Sequence, residues 1–346
     1  MKTRVTELFG IRYPILLSGM TGISNPRLTA AVSNAGGLGI LATADIVPDR
    51  LRRAVQEVRG LTDKPFGANV PFLLPGSAEK AAVLVAEKVP VINYTLGKGQ
   101  GLIDAVHEYG GRVIATVTLK KHALSAEKSG ADAVIVTGHE AAAHGGEATS
   151  LVLIPHIADA LAIPVVAAGG FSDGRGLAAA LALGAEGIAM GTRFMNTLES
   201  PAHANMKQMS NTKGVQDTVY SDRIDGLPCR ALKTNGTRRL MNQRLYMISA
   251  LVNSRNAARA FGFPWFKMFL GILLSGYRRS RQLARMANAF QPIQRAIETG
   301  DLEKGVFLMG QVTGNIRHTP AVAELMETII REALTARMMV AEKLVL

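Results

Sequence analysis

Eight short apolar runs, each followed by a helical pattern or a small-residue stretch, set a βα beat between residues 14 and 192. The runs are PILLSGM (14–20), GLGILAT (37–43), PFGANVP (65–71), VPVINYTLG (89–97), RVIATV (112–117), AVIVTG (133–138), PVVAAGG (164–170) and EGIAMGT (186–192). They are rich in Val, Ile and Ala and mostly do not alternate with polar residues, as expected of parallel strands covered on both faces. Between them lie helical patterns such as NPRLTAAVSNAGG, PDRLRRAVQEVRG and GRGLAAALALGA, each ending near a glycine suited to a helix C-cap. Eight consecutive units of this kind predict an α/β fold, a (β/α)8 TIM barrel. An open doubly wound sheet is the alternative. It ranks second because no G-x-G-x-x-G follows a strand, and the glycines of GGFSDGRG stand in the wrong order.

From Arg193 onward the strand beat fades, and residues 195–300 read as helical and basic, with GTRRLMNQRLYMISALVNSRNAARAFGF as the clearest stretch. PAVAELMETIIREALTARMMVAEKLVL reads as a final helix with Pro320 near its start. The expected division is a barrel from residues 1–194 plus part of the C-terminal tail, and a helical cap over one barrel end from 195–346. The net charge of +12 is concentrated: residues 221–300 hold 14 Lys and Arg against 3 Asp and Glu. A solvated helical face, a nucleic-acid surface and a seat for an anionic small molecule or carrier all account for such a field. Nucleic acid is disfavoured, because the segment has no helix-turn-helix, zinc-finger or RNP signature and little aromatic interleaving. One cysteine, Cys229, rules out an internal disulfide and a Cys-ligated cluster and fits a reducing cytoplasm. No secretory signal pattern stands at the N-terminus. The longest apolar run, residues 263–276, contains Lys267 and is too short to span a bilayer, so a buried helix is expected, with a surface-lying membrane helix as the lesser reading.

In a barrel of this kind chemistry gathers at the C-terminal ends of strands, with phosphate sites after strands 7 and 8. Gly169 and Gly170 follow run 7, and Gly191 and Thr192 close run 8. Without Cβ atoms their N–H groups can approach phosphate oxygens, and a following helix start adds positive potential. The other ends are small or polar (Ser18, Gly19, Met20, Asn69, Asn93, Thr95, Thr116, Thr137), which suits an uncharged heterocycle. No H-x-H, HExxH or acidic cluster calls for a metal. After run 6 the loop GHEAAAHGGE carries His139 and His144. Small neighbours leave room for a ligand beside His144, and an imidazole exchanges protons near neutral pH. His139 is expected to be a loop or helix-entry residue.

These residues resemble the nitronate monooxygenase (2-nitropropane dioxygenase) family, which includes the enoyl-acyl-carrier-protein reductase II enzymes. The resemblance rests on YPILLSGM, NAGGLGIL, DKPFGANV, the loop ending in His144, PVVAAGGFSDGRG, ALGAEGIAMGTRF and GVFLMGQVTG, and covers residues 1–235 with a weaker return at 305–335. It implies a barrel binding FMN non-covalently. Met20 and Thr21 would lie along the flavin with backbone contacts, Asn69 would bond the isoalloxazine, and Thr116 and Ala143 would line the cavity. Gly169, Gly170, Gly191 and Thr192 would take the phosphate, and His144 would be the proton-transfer residue. The chain lacks the YPxxxxLT segment of well-characterised nitronate monooxygenases and has FLMGQ at 307–311 in place of WAGQ. RIDGLPCRALKT (223–234) and the basic insertion resemble instead a subgroup of acyl-CoA and steroid-ring catabolism. The implied reaction is reduction, or shifting, of the double bond of an α,β-unsaturated acyl-CoA or acyl-carrier thioester with NAD(P)H. The alternatives are a nitronate monooxygenase using O2 and a non-catalytic or membrane-associated flavoprotein. A homodimer is compatible with either enzymatic reading.

Overall fold

The computed structural model describes residues 1–74, 76–142, 144–244, 246–260, 265–266 and 276–344. A short helix, α1 (Arg4–Phe9), precedes eight parallel strands: β1 (Ile15–Leu17), β2 (Gly39–Ala42), β3 (Phe66–Pro71), β4 (Val91–Thr95), β5 (Arg112–Val117), β6 (Ala133–Thr137), β7 (Val165–Ala168) and β8 (Gly187–Met190). Helices alternate with them: α2 (Pro26–Asn34), α3 (Pro48–Leu61), α4 (Ser77–Ala86), α5 (Gln100–His107), α6 (Lys120–Lys128), α7 (Ser150–Ala158) and α8 (Gly174–Ala182). Each of the eight apolar runs contains one strand. Neighbours pair in order from β2 to β8, β8 pairs with β1, and a parallel bridge between Leu16 and Leu38 joins β1 to the β2 side. The sheet is therefore a TIM barrel.

Strand side chains alternate between two apolar layers, because successive Cβ atoms point to opposite faces. In β1 and β6, Ile15, Leu17, Val134 and Val136 belong to the layer shared with the surrounding helices. Leu16, Ala133 and Ile135 belong to a second cluster with Val91, Ile114, Val166 and Ala189, which fills the barrel interior. Val5, Phe9 and Ile11, from α1 and just after it, join that interior cluster and close one mouth. The helix ends follow the expected glycine rule in two of three cases. Gly36 and Gly184 take left-handed φ values of 92° and 88° just after α2 and α8. By contrast, α3 runs through Gly60 and stops at Thr62 in extended backbone.

After β8 come α9 (Thr192–Met195), α10 (Ala204–Thr212), a two-stranded antiparallel hairpin of β9 (Thr218–Ser221) and β10 (Cys229–Leu232), then α11 (Asn235–Met241), α12 (Tyr246–Ala260), α13 (Tyr277–Glu298) and α14 (Val322–Lys343). The hairpin corrects the expectation of an all-helical stretch from 195 to 300. Its strands are only four residues each, too short to show a period. The long basic helical pattern is real but breaks at Asn242, the C-cap of α11. The final helix packs on α8, where a Cβ on Gly174 would lie 2.2 Å from the Ala333 nitrogen; only glycine allows so close an approach. The apolar run 263–276 lies mostly outside the described residues. Among those residues, no helix is long and apolar enough to cross a membrane.

Candidate active site

The parallel strands bring the predicted residues to one rim of the barrel. Met20 and Thr21 follow β1, Asn69 and Thr116 sit near the ends of β3 and β5, the His144 loop follows β6, Gly169 and Gly170 follow β7, and Gly191 and Thr192 follow β8. Ala143 lies outside the described residues.

A polar relay crosses three strands at this rim. The Asn69 amide donates to Asn93 Oδ1 at 2.7 Å, and the Asn93 amide donates to Thr116 Oγ1 at 2.9 Å and to the Ile114 carbonyl. All three side chains are thereby fixed, leaving Asn69 Oδ1 as an acceptor and the Thr116 hydroxyl proton as a donor for a ring with both kinds of group. Gly19 makes this possible, since a Cβ there would stand 2.5 Å from Asn69 Cβ. Gly19 is thus a site-shaping residue that the motif alone did not single out.

Met20 differs in part from expectation. Its N–H donates to Ser24 Oγ, and its carbonyl accepts from the Ile23 and Ser24 N–H groups, so its backbone is engaged within its own turn. What remains for a ligand is the side chain, whose sulfur would stand 3.4 Å from a Cβ on Gly191. Thr21 is exposed beside it.

At the ends of β7 and β8, the N–H groups of Gly169, Gly170, Gly191 and Thr192 donate to no partner among the described residues. Gly169 and Gly170 hold φ values of 100° and 86°, which L side chains rarely adopt. Four free amides from two adjacent strand ends form a cradle suited to a phosphate. The added field of a helix start is not present after β7. Asp173 accepts from the Gly176 N–H and Glu332 from the Gly174 N–H, so carboxylates already fill the start of α8. The helix after β8 is a single turn. Thr192 Oγ1 accepts from the Gly310 N–H at 3.0 Å, keeping its own proton to donate.

His144 Nε2 lies 2.9 Å from Asp225 Oδ2, an acid 81 residues further along the chain. Burial raises the Asp225 carboxyl pKa, but the hydrogen bond and charge of His144, the Leu227 N–H and the Cys229 thiol outweigh it and hold the group below its ordinary value. The acid therefore stays a carboxylate, which can only accept, so Nε2 is the donor in this bond, and Nδ1 has no hydrogen-bond partner among the described residues. Burial and the neighbouring carboxylate push the Cys229 thiol up, so it stays neutral and unreactive. The hairpin grips the histidine loop at further points. The Tyr220 hydroxyl donates to the Gly145 carbonyl at 2.6 Å, the Arg230 N–H to the Ala142 carbonyl, and the Arg230 guanidinium to the His139 carbonyl. His139 is a loop residue, as expected, with its ring 4.3 Å from that of Tyr220. A second strap, residues 306–311, joins everything together: Phe307 pairs with Leu232, Gly310 with Thr192, and the Gln311 N–H with the Glu140 carbonyl. Asp225 was hidden in the sequence within RIDGLPCR, a motif that pointed to a subgroup and not to a partner for His144. Among the described residues no cluster of His, Cys, Asp and Glu could hold a metal ion.

The chain matches the family model described as nitronate monooxygenase over residues 2–87 and 76–332. It is 38% identical over 340 residues, 96% of each chain, to (3aS,4S,5R,7aS)-5-hydroxy-7a-methyl-1-oxo-octahydro-1H-indene-4-carboxyl-CoA dehydrogenase of Rhodococcus jostii. A probable nitronate monooxygenase of Staphylococcus saprophyticus is 34% identical over 280 residues, covering 67% of this chain and 79% of that protein. The solved structure of FabK from Thermotoga maritima superposes with a TM-score of 0.84 at 36% identity, covering 99% of this chain and 100% of that one. Matched by the family model over most of its length and carrying the barrel rim just described, the chain belongs to the nitronate monooxygenase family and is a flavin-dependent oxidoreductase.

Proposed function

We propose that the protein is an FMN-dependent oxidoreductase that moves hydrogen across the Cα–Cβ bond of an acyl-CoA thioester, with His144 as the proton-transfer residue. The observation that carries this reading is the His144–Asp225 pair beside the strand ends. An Nε2–H held by a carboxylate presents a basic Nδ1, suited to the acidic proton alpha to a thioester carbonyl. Asp225 then stabilises the imidazolium that forms, in the way a buried carboxylate supports a general base. The CoA-thioester relative, matched over 96% of both chains, supports the substrate class.

The residues of the rim fit FMN. The four free N–H groups of Gly169, Gly170, Gly191 and Thr192 would hold the phosphate, with the Thr192 hydroxyl beside them. Asn69 Oδ1 and the Thr116 hydroxyl would bond the edge of the isoalloxazine, and Met20 and Thr21 would lie along it. A bound flavin would supply two-electron redox chemistry at the β-carbon. Everything else falls to the chain: the relay through Asn93 fixes the ring edge, and His144 takes the α-proton in dehydrogenation or returns it in reduction. NAD(P)H is the proposed reductant in the second direction.

A second reading is nitronate monooxygenation, favoured by the Staphylococcus relative. The same Nδ1 would take the proton alpha to a nitro group, with O2 as the oxidant. Anaerobic stopped-flow of the yellow protein separates the two. Bleaching by a saturated acyl-CoA, or bleaching by NADH or NADPH reversed by an enoyl-CoA, supports the thioester reaction. Flavin reduction by a nitronate alone, with none from acyl-CoA or nucleotide, sinks it.

A further inference from the structure

Beside the turn that carries Asp225 lies an open hollow of about 540 Å³ lined by Arg223, Met241, Asn242, Gln243, Arg244 and Arg285. Among the described residues, three guanidinium groups line it and no carboxylate does. Among the described residues none of the three arginines makes an ion pair. Arg285 is held in place: its guanidinium lies over the Tyr246 ring at 4.5 Å, and Nη1 donates to the Arg223 carbonyl at 2.9 Å. Its Nε is buried with no hydrogen-bond partner. A buried, unpaired guanidinium donor is costly unless something answers it. Gln243 also lines a second hollow of about 370 Å³, which carries Arg239, Arg295 and Lys304 and again no acid. Two adjoining depressions, with six cations and no anion among their described lining residues, form a surface for a ligand with several phosphates.

We infer that the Arg223–Arg244–Arg285 hollow binds the phosphorylated adenosine end of the CoA thioester, an inference that rests on the acyl-CoA reading above. Arg244 and Arg223 are exposed and free to meet phosphate oxygens, while Arg285 supplies a fixed donor between them. The Asn242 and Gln243 amides can pair with the adenine edge, and Met241 offers an apolar face. The position also matches the chemistry. Arg223 stands two residues before Asp225 on one turn, closed by the Gly226 N–H donating to the Asp222 carbonyl. That turn sits tightly on α13, since a Cβ on Gly226 would fall 2.4 Å from the Gln282 carbonyl. A nucleotide seated there lies next to the turn that holds the proton-transfer histidine, with the pantetheine arm to bridge between them. This gives the basic segment a specific ligand, where composition alone left a solvated face, nucleic acid and a small anion open.

The test uses the flavin-loaded protein and the double variant Arg223→Gln/Arg244→Gln. Both residues are exposed, and a thermal melt checks that the fold is kept. Calorimetry with CoA and with adenosine 3′,5′-bisphosphate is expected to show affinity about 30-fold weaker in the variant, as loss of two solvent-exposed ion pairs implies. Added salt should weaken binding to the native protein more than to the variant. Turnover of the same acyl group on pantetheine should be equal in the two proteins. CoA affinity within twofold of the native value in the variant overturns the inference, and so does an arginine-dependent site that takes NADPH and not CoA. The two readings can fail separately. Arginine-dependent CoA binding without any acyl-CoA turnover keeps the hollow and removes the reaction, whereas acyl-CoA turnover with an unchanged KM in the variant does the reverse.

Discussion

In the barrel, strand side chains fill two apolar layers, and the helices outside are drawn onto a core running through every βα unit. The basic segment is assembled differently. Among its described residues, the apolar contact between α12 and α13 includes Ala250, Ala284 and Ala287 beside Tyr246. Amides supply much of the rest: Asn288 donates to the Tyr246 carbonyl at 2.7 Å and accepts from Asn253 at 2.8 Å. Small alanine contacts bury little area and so contribute little. The barrel joins its elements through large apolar side chains, whereas α12 and α13 meet through alanines and amides, and the segment presents Arg223, Arg244 and Arg285 without ion pairs among the described residues. The proposed active site lies where the two meet, through the hairpin of β9 and β10.

The comparison can be broken most directly at the meeting point. His144→Ala should lower turnover by about 10³-fold, within the range for general acid–base catalysis, and keep the yellow FMN spectrum. Near-native turnover in that variant would detach the chemistry from the loop. Next in size, Gly174→Ala would set a methyl against the Ala333 and Ile329 backbone and should cost about 3 kcal/mol of global stability by denaturant titration. Asp225→Asn should slow turnover by about 50-fold, by analogy with other supporting partners of catalytic groups, and leave FMN binding intact. It carries a pH signature as well. The Asp225 pKa in the fold lies below its ordinary value of 3.8, so its stabilisation is present above that value and is lost as pH falls through the folded value. The stability gap between the native protein and the Asp225→Asn variant should therefore narrow as pH drops below about 4. The smallest effect expected is that of Asn288→Ala, about 1.5 kcal/mol for the lost amide bonds. Hydrogen exchange should place it in α12 and α13 and leave the barrel strands untouched; a uniform loss would mean that the segment is as tightly coupled as the barrel.

The same contrast explains what could be read from the chain. Parallel strands buried on both faces leave continuous apolar runs, so β1 to β8 were visible, and their ends pointed to Asn69, Thr116 and the glycine pairs. Four-residue strands such as β9 and β10 leave too short a record. The His144–Asp225 bond joins residues 81 apart, and no local spacing encodes it. Gly19 looked like one more turn glycine until its closeness to Asn69 gave it a reason. The backbone contacts to the flavin that the resemblance implies for Met20 meet a competitor the motif does not show, since Ser24, four residues on, takes its N–H.

The strap at 306–311 has a consequence for the order in which the protein matures. It is the segment that binds the Thr192 hydroxyl, the Glu140 carbonyl and the β10 end at once. A ribosome will have released all eight barrel strands well before this stretch emerges. Until then the hairpin lacks its seat and Thr192 its partner, so a nascent chain can close its barrel while its reactive rim is still unfinished.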